Sequence, residues 1–314
     1  TEVNDVTTWR SEYTGVWHFE DDIGSGTEID DSSQSDNDGF ARQGLDGDNM
    51  VSGVVGNAFD FNDNEYIALE NFYSGNGAIP EVSVSAWVNT TFNNGSQNSN
   101  WSILDFDRSD FFNVYIYGDG RLSFSTDATS GGIDDFYDGS GTRVNDGAWH
   151  HVAAVYDGTD KILYVDGVEV DRVTNPHSGA GLGSSSTRYG FIGDGSEAST
   201  FDAGRNNLYY DGQLDNIRLY EGTYLAAWVA TEYLNASNPS SLLIVDNAES
   251  FAAPITYTVA TDVGYGTLYN NGVAMGVGDT FTQADIAAGF ITYQHDDSEN
   301  FTDQFTFNID DGTD

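Results

Sequence analysis

Along most of the chain, apolar and polar residues alternate in short runs broken by Gly, Asp, Asn and Ser. A period of two is the signature of a pleated strand with one buried face. The clearest case is the stretch 148–170, AWHHVAAVYDGTDKILYVDGVEV. Trp149–Tyr156 alternates bulky and small residues rich in β-formers, and Lys161–Val165 is a second β-rich run. Asp157-Gly158 and Asp166-Gly167 are turn dipeptides between successive strands. A three-strand meander must have its apolar face covered, so it predicts a larger antiparallel sheet.

The same pattern predicts two strands within Val55–Leu69, around an Asn62-Asp63-Asn64 turn. It predicts further strands at Pro80–Asn89, Trp101–Phe106, Phe111–Tyr117, Leu122–Ser125, Gly190–Gly193 and Gln213–Tyr220. Asp21–Gly39, Thr126–Gly141, Thr174–Tyr189 and Asp194–Tyr210 read as loops. Tyr224–Tyr233 is the only good helical candidate, with three alanines and no breaker. Asn238-Pro239-Ser240-Ser241 reads as a linker. Beyond it, Leu242–Val245, Ile255–Ala260, Gly266–Tyr269, Gly289–His295 and Gln304–Asp310 are strand-like. The fold class is therefore all-β, with a main unit over 1–236 and a smaller one over 237–314.

Motifs in both units resemble known families. W-H-H-V-A-x-x-Y-D-G followed by L-Y-V-D-G at 149–167 resembles the hallmark of laminin-G-like, concanavalin A-like lectin jelly rolls. TWRSEYTGVWHFE at 8–20 resembles the entry of that family, and GNAFDFNDNEYI at 56–67 a second element, with Asn62-Asp63 where Asp-Gly is usual. QLDNIRLY at 213–220 resembles its closing strand. The likeness runs in order over roughly 8–235. In the second unit, GTLYNNG, GDTFTQADI, YQHD and DQFTFNIDDG resemble the cadherin-like repeats of large bacterial adhesins, over nearly all of 240–314. The resemblance implies a jelly-roll β-sandwich followed by a cadherin/Ig-like β-sandwich, in an extracellular adhesion segment of a bacterial cell-surface protein. Its partners would be a glycan or other cell-surface ligand and the flanking domains of the same long chain. An accessory carbohydrate-binding module of a secreted polysaccharide-degrading enzyme, or a purely structural spacer, are the alternatives.

Charge narrows the partners. The chain carries 51 acidic and 10 basic residues, a net charge of −41. Nucleic acid and anionic membrane surfaces would be repelled. No apolar run approaches the roughly 20 residues of a membrane span, so no direct membrane insertion is expected. Self-repulsion on this scale calls for bound Ca²⁺ or a salty medium, unless the charge serves only solubility. Cysteine is absent, which excludes disulfides and thiol chemistry. The chain opens on Thr-Glu-Val and reads as a segment of a longer protein. Its single lysine, Lys161, reads as a surface charge partner.

Enzymatic motifs are missing: there is no GxSxG elbow, no HExxH and no phosphate-binding glycine loop. His150 and His151 are adjacent, so on a strand they face opposite ways and cannot share a metal. A non-enzymatic role follows.

Calcium is the expected cofactor. Asp60–Asn64 begins an EF-hand-like spacing without completing it. The laminin-G resemblance implies a rim site at Asp110, just before Phe111–Tyr117. The family's second carboxylate has no counterpart, since Ser186 and Thr187 stand there. A second site between opening and closing strands would use Asp22, Asp31 and Asp215. Asp215 is assigned to the core side by its period-two spacing from Ile217 and Leu219, where a carboxylate needs a partner or a metal. In the cadherin-like unit Asp296, Asp297, Glu299 and Asp303 are candidates by resemblance, with Asp310 and Asp311 at the exit of the same cluster. For each of these carboxylates a solvated turn residue is the alternative.

Ligand residues can be sketched from alternation. On Phe111–Tyr117, Phe112, Val114 and Ile116 face the core, leaving Phe111, Asn113, Tyr115 and Tyr117 outward. On Val82–Asn89, Trp87 and Asn89 are outward; on Gln213–Tyr220, Asn216, Arg218 and Tyr220 are. Aromatic rings beside amides and guanidinium groups suit a sugar, or else these faces lie under a loop or domain. Loops are the other candidate, with Arg205, Asn206, Asn207, Tyr209 and Tyr210 preferred, plus Trp101 and Tyr137.

Overall fold

The computed structural model describes residues 9–20, 23, 27–62, 64–95, 100–129, 132–238, 255–296, 298 and 302–310. The chain divides into two compact units, 1–242 and 243–314.

The first unit contains β1 (Tyr13–Trp17), β2 (Glu28–Ile29), β3 (Gly39–Arg42), β4 (Met50–Ser52), β5 (Asn57–Phe61), β6 (Tyr66–Ser74), β7 (Val82–Asn89) and β8 (Asn100–Asp105). It continues with β9 (Phe112–Tyr117), β10 (Leu122–Ala128), β11 (Gly132–Tyr137), β12 (His150–Tyr156), β13 (Lys161–Val165), β14 (Val168–Val173), β15 (Thr187–Ile192) and β16 (Gly212–Tyr220). The helix α1 (Ala226–Ser237) follows. One sheet has the order β14-β13-β12-β7-β16-β5-β4, with β1 also paired to β16; the other runs β11-β10-β9-β8-β15-β6-β3-β2. Between them lies one apolar core that includes Val84, Ala86, Val88, Phe112, Val114, Ile116, Val152 and Ala154. Each of these residues sits at the inward phase of its strand, as alternation requires.

The 148–170 meander forms as β12, β13 and β14. At its second turn Asp166 (φ 51°) and Gly167 (φ 77°) are both left-handed, the backbone of a tight hairpin turn whose twist matches its strands. Gly167 has a second reason to lack a side chain. A Cβ there would lie 3.1 Å from Ala230 Cα and 3.2 Å from Tyr233 Cβ, because α1 packs directly on the turn.

Several features differ from the sequence reading. The stretch 21–39 is not all loop, since Glu28–Ile29 is β2, paired with β3. The stretch 126–141 is not all loop, since 132–137 is β11, paired along its length with β10. Phe111 is not outward: β9 begins only at Phe112, and Phe111, in the preceding turn, is buried in the core. Asp215 is not on the core side. Its register partner is Trp87, an outward residue, while Leu214 and Leu219 pair with the core residues Val88 and Val84. A bulge between Asp215 and Arg218, with Asn216 left-handed (φ 48°), resets the alternation there. Lys161, finally, is fully buried rather than a surface residue.

The second unit has β17 (Thr256–Thr261), β18 (Gly266–Asn270), β19 (Val273–Met275), β20 (Thr280–Thr282), α2 (Gln283–Ala287), β21 (Ile291–His295) and β22 (Thr306–Asp310). Two three-stranded sheets, β20-β17-β22 and β19-β18-β21, enclose Val259, Leu268, Met275 and Phe281. The helix α2 is additional to the single helix that composition predicts. It starts at a capping box, in which Thr282 Oγ1 accepts from Asp285 N and the Asp285 side chain accepts from Thr282 N. The expected strand Leu242–Val245 lies outside the described residues.

Candidate functional site

The outward faces of the two large sheets have different fates. On the β7/β16 sheet, α1 lies over the outward residues. Trp87 is buried and stacks on Tyr233, their ring centroids 5.8 Å apart. Arg218 pairs with the buried Glu232 of the helix. That face is closed.

The opposite face, on β8 to β11, is a polar platform. Antiparallel register aligns its outward residues into two cross-strand rows. One row is Ser102, Tyr115, Ser123 and Tyr137; the other is Asp105, Asn113, Ser125 and Asp135. Directly opposed residues on one face are close neighbours, and these are hydrogen-bonded across the strands. Tyr115 Oη lies 2.9 Å from Ser125 Oγ and 3.2 Å from Tyr117 Oη. Ser125 Oγ donates to Asp135 Oδ1 at 2.7 Å, and Arg108 Nη1 donates to both Asp135 oxygens at 2.8 Å.

Two loops raise walls beside this floor. Asp107, Arg108 and Ser109 form one; Ser196, Glu197, Asn206 and Leu208 form the other. Together they enclose a groove of about 460 Å³ with Asp105, Asn113, Tyr115, Tyr117 and Asp135 at its base. Buried carboxylates hold the second wall in place. Asp105 Oδ2 accepts from Ser196 N at 2.7 Å and from Asp107 N at 3.0 Å. Asp194 Oδ1 accepts from Gly195 N and Leu208 N, each at 2.7 Å. Burial pushes the Asp105 carboxyl well above the usual carboxylate range, and the nearby charges of Asp107 and Asp194 add to it. Burial also raises Asp194, against the opposing pull of its two amide donors and Arg205.

The sequence-derived ligand residues scatter around this groove. Asn206 lines it. Tyr137 ends one of its rows, 42% exposed, with its ring 5.5 Å from that of Tyr117 and the Arg121 guanidinium 4.2 Å above it. Arg205 supports the wall from behind: Nη1 reaches Asp194 Oδ2 at 3.3 Å and the guanidinium lies 4.2 Å from the Tyr66 ring. Asn207 is left-handed and accepts from Tyr209 Oη at 2.5 Å, a pair local to the loop. Trp101 packs inward, its ring 4.0 Å from that of Phe92. The strand alternation served better than loop composition, because Asn113, Tyr115 and Tyr117 all lie in the groove. Asp105, Arg108 and Asp135 were missed. The Ser123-x-Ser125 alternation beside Asn113-x-Tyr115 was the available signal for a polar face.

The metal candidates among the described residues are each engaged by protein donors. Asp31 Oδ1 accepts from Val16 N and Ser33 N, and Oδ2 from Ser33 Oγ and Asn37 N. Asp215 Oδ2 accepts from Val54 N at 2.8 Å and Val55 N at 3.2 Å. Asp110 pairs with Arg188 at 2.6 Å. Asp303 accepts from Gly264 N, Tyr265 N and Tyr293 Oη. Asp296 accepts from Ser298 N. Asp22, Asp297, Glu299 and Asp311 lie outside the described residues. Among the described residues, no group of three or more His, Asp or Glu side chains is arranged to hold a metal, and no helix is long and apolar enough to cross a membrane.

Comparison with known proteins agrees with this architecture. Residues 61–230 match the concanavalin A-like lectin/glucanases superfamily model, and 232–314 match a cadherin-like model. Among curated proteins, the human extracellular matrix organizing protein FRAS1 is 35% identical over 69 residues, 21% of this chain and 2% of that protein. Among solved structures, the binding domain of Paraclostridial Mosquitocidal Protein 1 aligns with TM-score 0.53 at 13% identity, covering 82% of this chain and 60% of that one. The receptor binding domain of the botulinum neurotoxin C/D mosaic serotype aligns with TM-score 0.50 at 9% identity, covering 82% and 56%. The chain thus spans a small fraction of its curated relative and under two thirds of these structures. The superfamily match covers more than half of the sequence, so the chain belongs to the concanavalin A-like lectin/glucanases superfamily and carries a cadherin-like unit after its jelly roll.

Proposed function

We propose that the jelly roll is the ligand-binding part of an extracellular adhesion segment, and that it binds an uncharged glycan in the groove on β8 to β11. The observation that carries this reading is the pair of polar cross-strand rows. They place Asn113 and Tyr115 on the floor of the groove, largely buried and braced by Ser125, with Tyr137 exposed at the end of one row. Hydroxyl and carboxamide groups offer both donors and acceptors to sugar hydroxyls, and Tyr117 and Tyr137 offer ring faces to sugar C–H groups. Charge selects among glycans. Arg108 pairs with Asp135 and Arg188 with Asp107, while Glu197 lines the opposite wall, so the one guanidinium lining the groove already meets a carboxylate. A sulfated or uronate-rich chain would meet like charge there. The groove is read as a binding site rather than a catalytic one. The cadherin-like unit is the spacer that displays it within a longer surface protein.

The test is a glycan array probed with the 314-residue chain at moderate salt, followed by calorimetry on the best hits. Binding to neutral glycans that weakens in Asn113→Ala and Tyr117→Ala supports the reading. Binding confined to sulfated or uronate glycans, or binding unaffected by both substitutions, overturns it.

A further inference from the structure

Beside the groove, the rim of the jelly roll brings three carboxylates together. Asp107 and Asp110 lie in the turn from β8 to β9. Asp127 lies near the end of β10, its N–H donating to Phe111 O at 2.9 Å. Burial pushes the Asp127 carboxyl up, and the charges of Asp110 and then Asp107 push it further. Sequence resemblance assigns a calcium ion to this rim through Asp110. The side chains do not fit that ion.

Arg188, at the start of β15, occupies the position a cation would need. Its Nε donates to Asp107 Oδ2 at 2.7 Å, and its Nη2 reaches Asp110 Oδ2 at 2.6 Å. The remaining oxygens of Asp107 and Asp110 are also engaged. Asp107 Oδ1 accepts from Ser109 N at 2.9 Å and Ser109 Oγ at 2.6 Å, and Asp110 Oδ1 accepts from Ser184 Oγ. Burial would raise the Asp110 carboxyl, but the Ser184 hydroxyl and the Arg188 charge together hold it below its ordinary value. Calcium takes about six to eight oxygen lone pairs at about 2.3–2.6 Å. Here each oxygen of Asp107 and Asp110 already receives an N–H or O–H donor, and a fixed positive charge stands between the two carboxylates. The sequence places this arginine directly after Ser186-Thr187, the pair that stands where the second acidic ligand would be.

We infer that Arg188 is the resident cation of this rim, so that the jelly roll holds its Asp107–Asp110 turn without calcium. Because Asp107 also lines the groove, the same ion pair fixes one groove wall, and ligand binding there needs no divalent ion. That last clause rests on the glycan reading; the assignment of the cation does not.

The experiment is a calcium titration of the isotope-labelled 314-residue chain without glycan, at constant ionic strength. It follows the backbone amide resonances of Ser109, Asp110, Ser184 and Ser186, in the wild type and in Arg188→Gln. In the wild type these four amides should not move up to millimolar calcium. In the variant they should shift and saturate, with a rise in melting temperature that a chelator reverses. A variant that folds only with calcium gives the same answer. A saturable shift of the wild-type rim amides overturns the inference, and that measurement needs no variant. So does a variant that is as stable as the wild type without calcium and does not respond to it. Glycan binding is measured separately with chelator present. Its absence with and without calcium would count against the groove alone.

Discussion

The Nζ of Lys161 donates to the main-chain carbonyl of Phe124 at 3.0 Å and to that of Asp134 at 2.7 Å. The chain's single lysine therefore joins β13 of one sheet to β10 and β11 of the other. It also pairs with the Asp134 carboxylate and lies over the rings of Phe124 and Phe136. Replacing Lys161 with Met should destabilise the protein by roughly 2–4 kcal/mol, because removing one partner leaves buried acceptors without a donor. Burial depresses its pKa to about 8. Between that value and the unfolded-state value near 10.4, the unfolded chain holds more protons than the folded one. The contribution of Lys161 should therefore grow as pH rises through this window. Urea denaturation of wild type and Lys161→Met at pH 7 and pH 10 measures it as a widening gap between the two.

Glu232 locks α1 onto the sheet. It pairs with Arg218, accepts from Ser85 Oγ at 2.9 Å and lies 3.6 Å from His151. Burial alone would raise its pKa, but the Arg218 charge, followed by His151 and Ser85, brings it down to about 2. A depressed carboxylate stabilises the fold above its unfolded-state value near 4.3, and the stabilisation is lost as pH falls toward 2. Glu232→Gln should lose roughly 2–4 kcal/mol at neutral pH and show a shallower acid limb between pH 4.5 and 2. Amide exchange along α1 should rise more than exchange in β9 and β10.

Gly167 should not tolerate a side chain. Gly167→Ala puts an L-residue at φ 77° and sets its Cβ 3.1 Å from the backbone of α1. Strain and contact together should cost roughly 2–3 kcal/mol. The melting temperature should fall, and the fluorescence of Trp87 and Trp228 should report displacement of the helix. Gly44→Ala shares the positive φ but has nothing within 4 Å, so it should cost clearly less.

Groove substitutions should separate binding from folding. Removing the Asn113 carboxamide should weaken glycan binding by roughly 3- to 10-fold, the worth of one or two neutral hydrogen bonds. Trp228→Ala, an exposed residue of α1 on the opposite face, should leave affinity unchanged. Isothermal calorimetry with the same glycan reads both.

The chain's periodicity by itself determined most strands of the main sandwich, though not β2, β3, β4 or β11, together with the meander turns and the order of the two units. It also assigned Asn113, Tyr115 and Tyr117 to one outward face, because alternation is a local property of the pleated backbone. Only the tertiary structure decided which outward face stays open. α1 covers Trp87 and Arg218, while the loops beside the rows on β8 to β11 close over them only in part and leave a groove. The groove walls come from segments far apart in sequence, joined where Asp105 accepts from the amide of Ser196, 91 residues on. The same holds for the charges. Aspartates in loops look alike in a sequence of net charge −41, yet Asp31 and Asp215 are held by backbone amides and Asp110 by Arg188. Whether a carboxylate meets an amide, a guanidinium or water depends on which distant strand lies beside it, and local periodicity carries no record of that pairing.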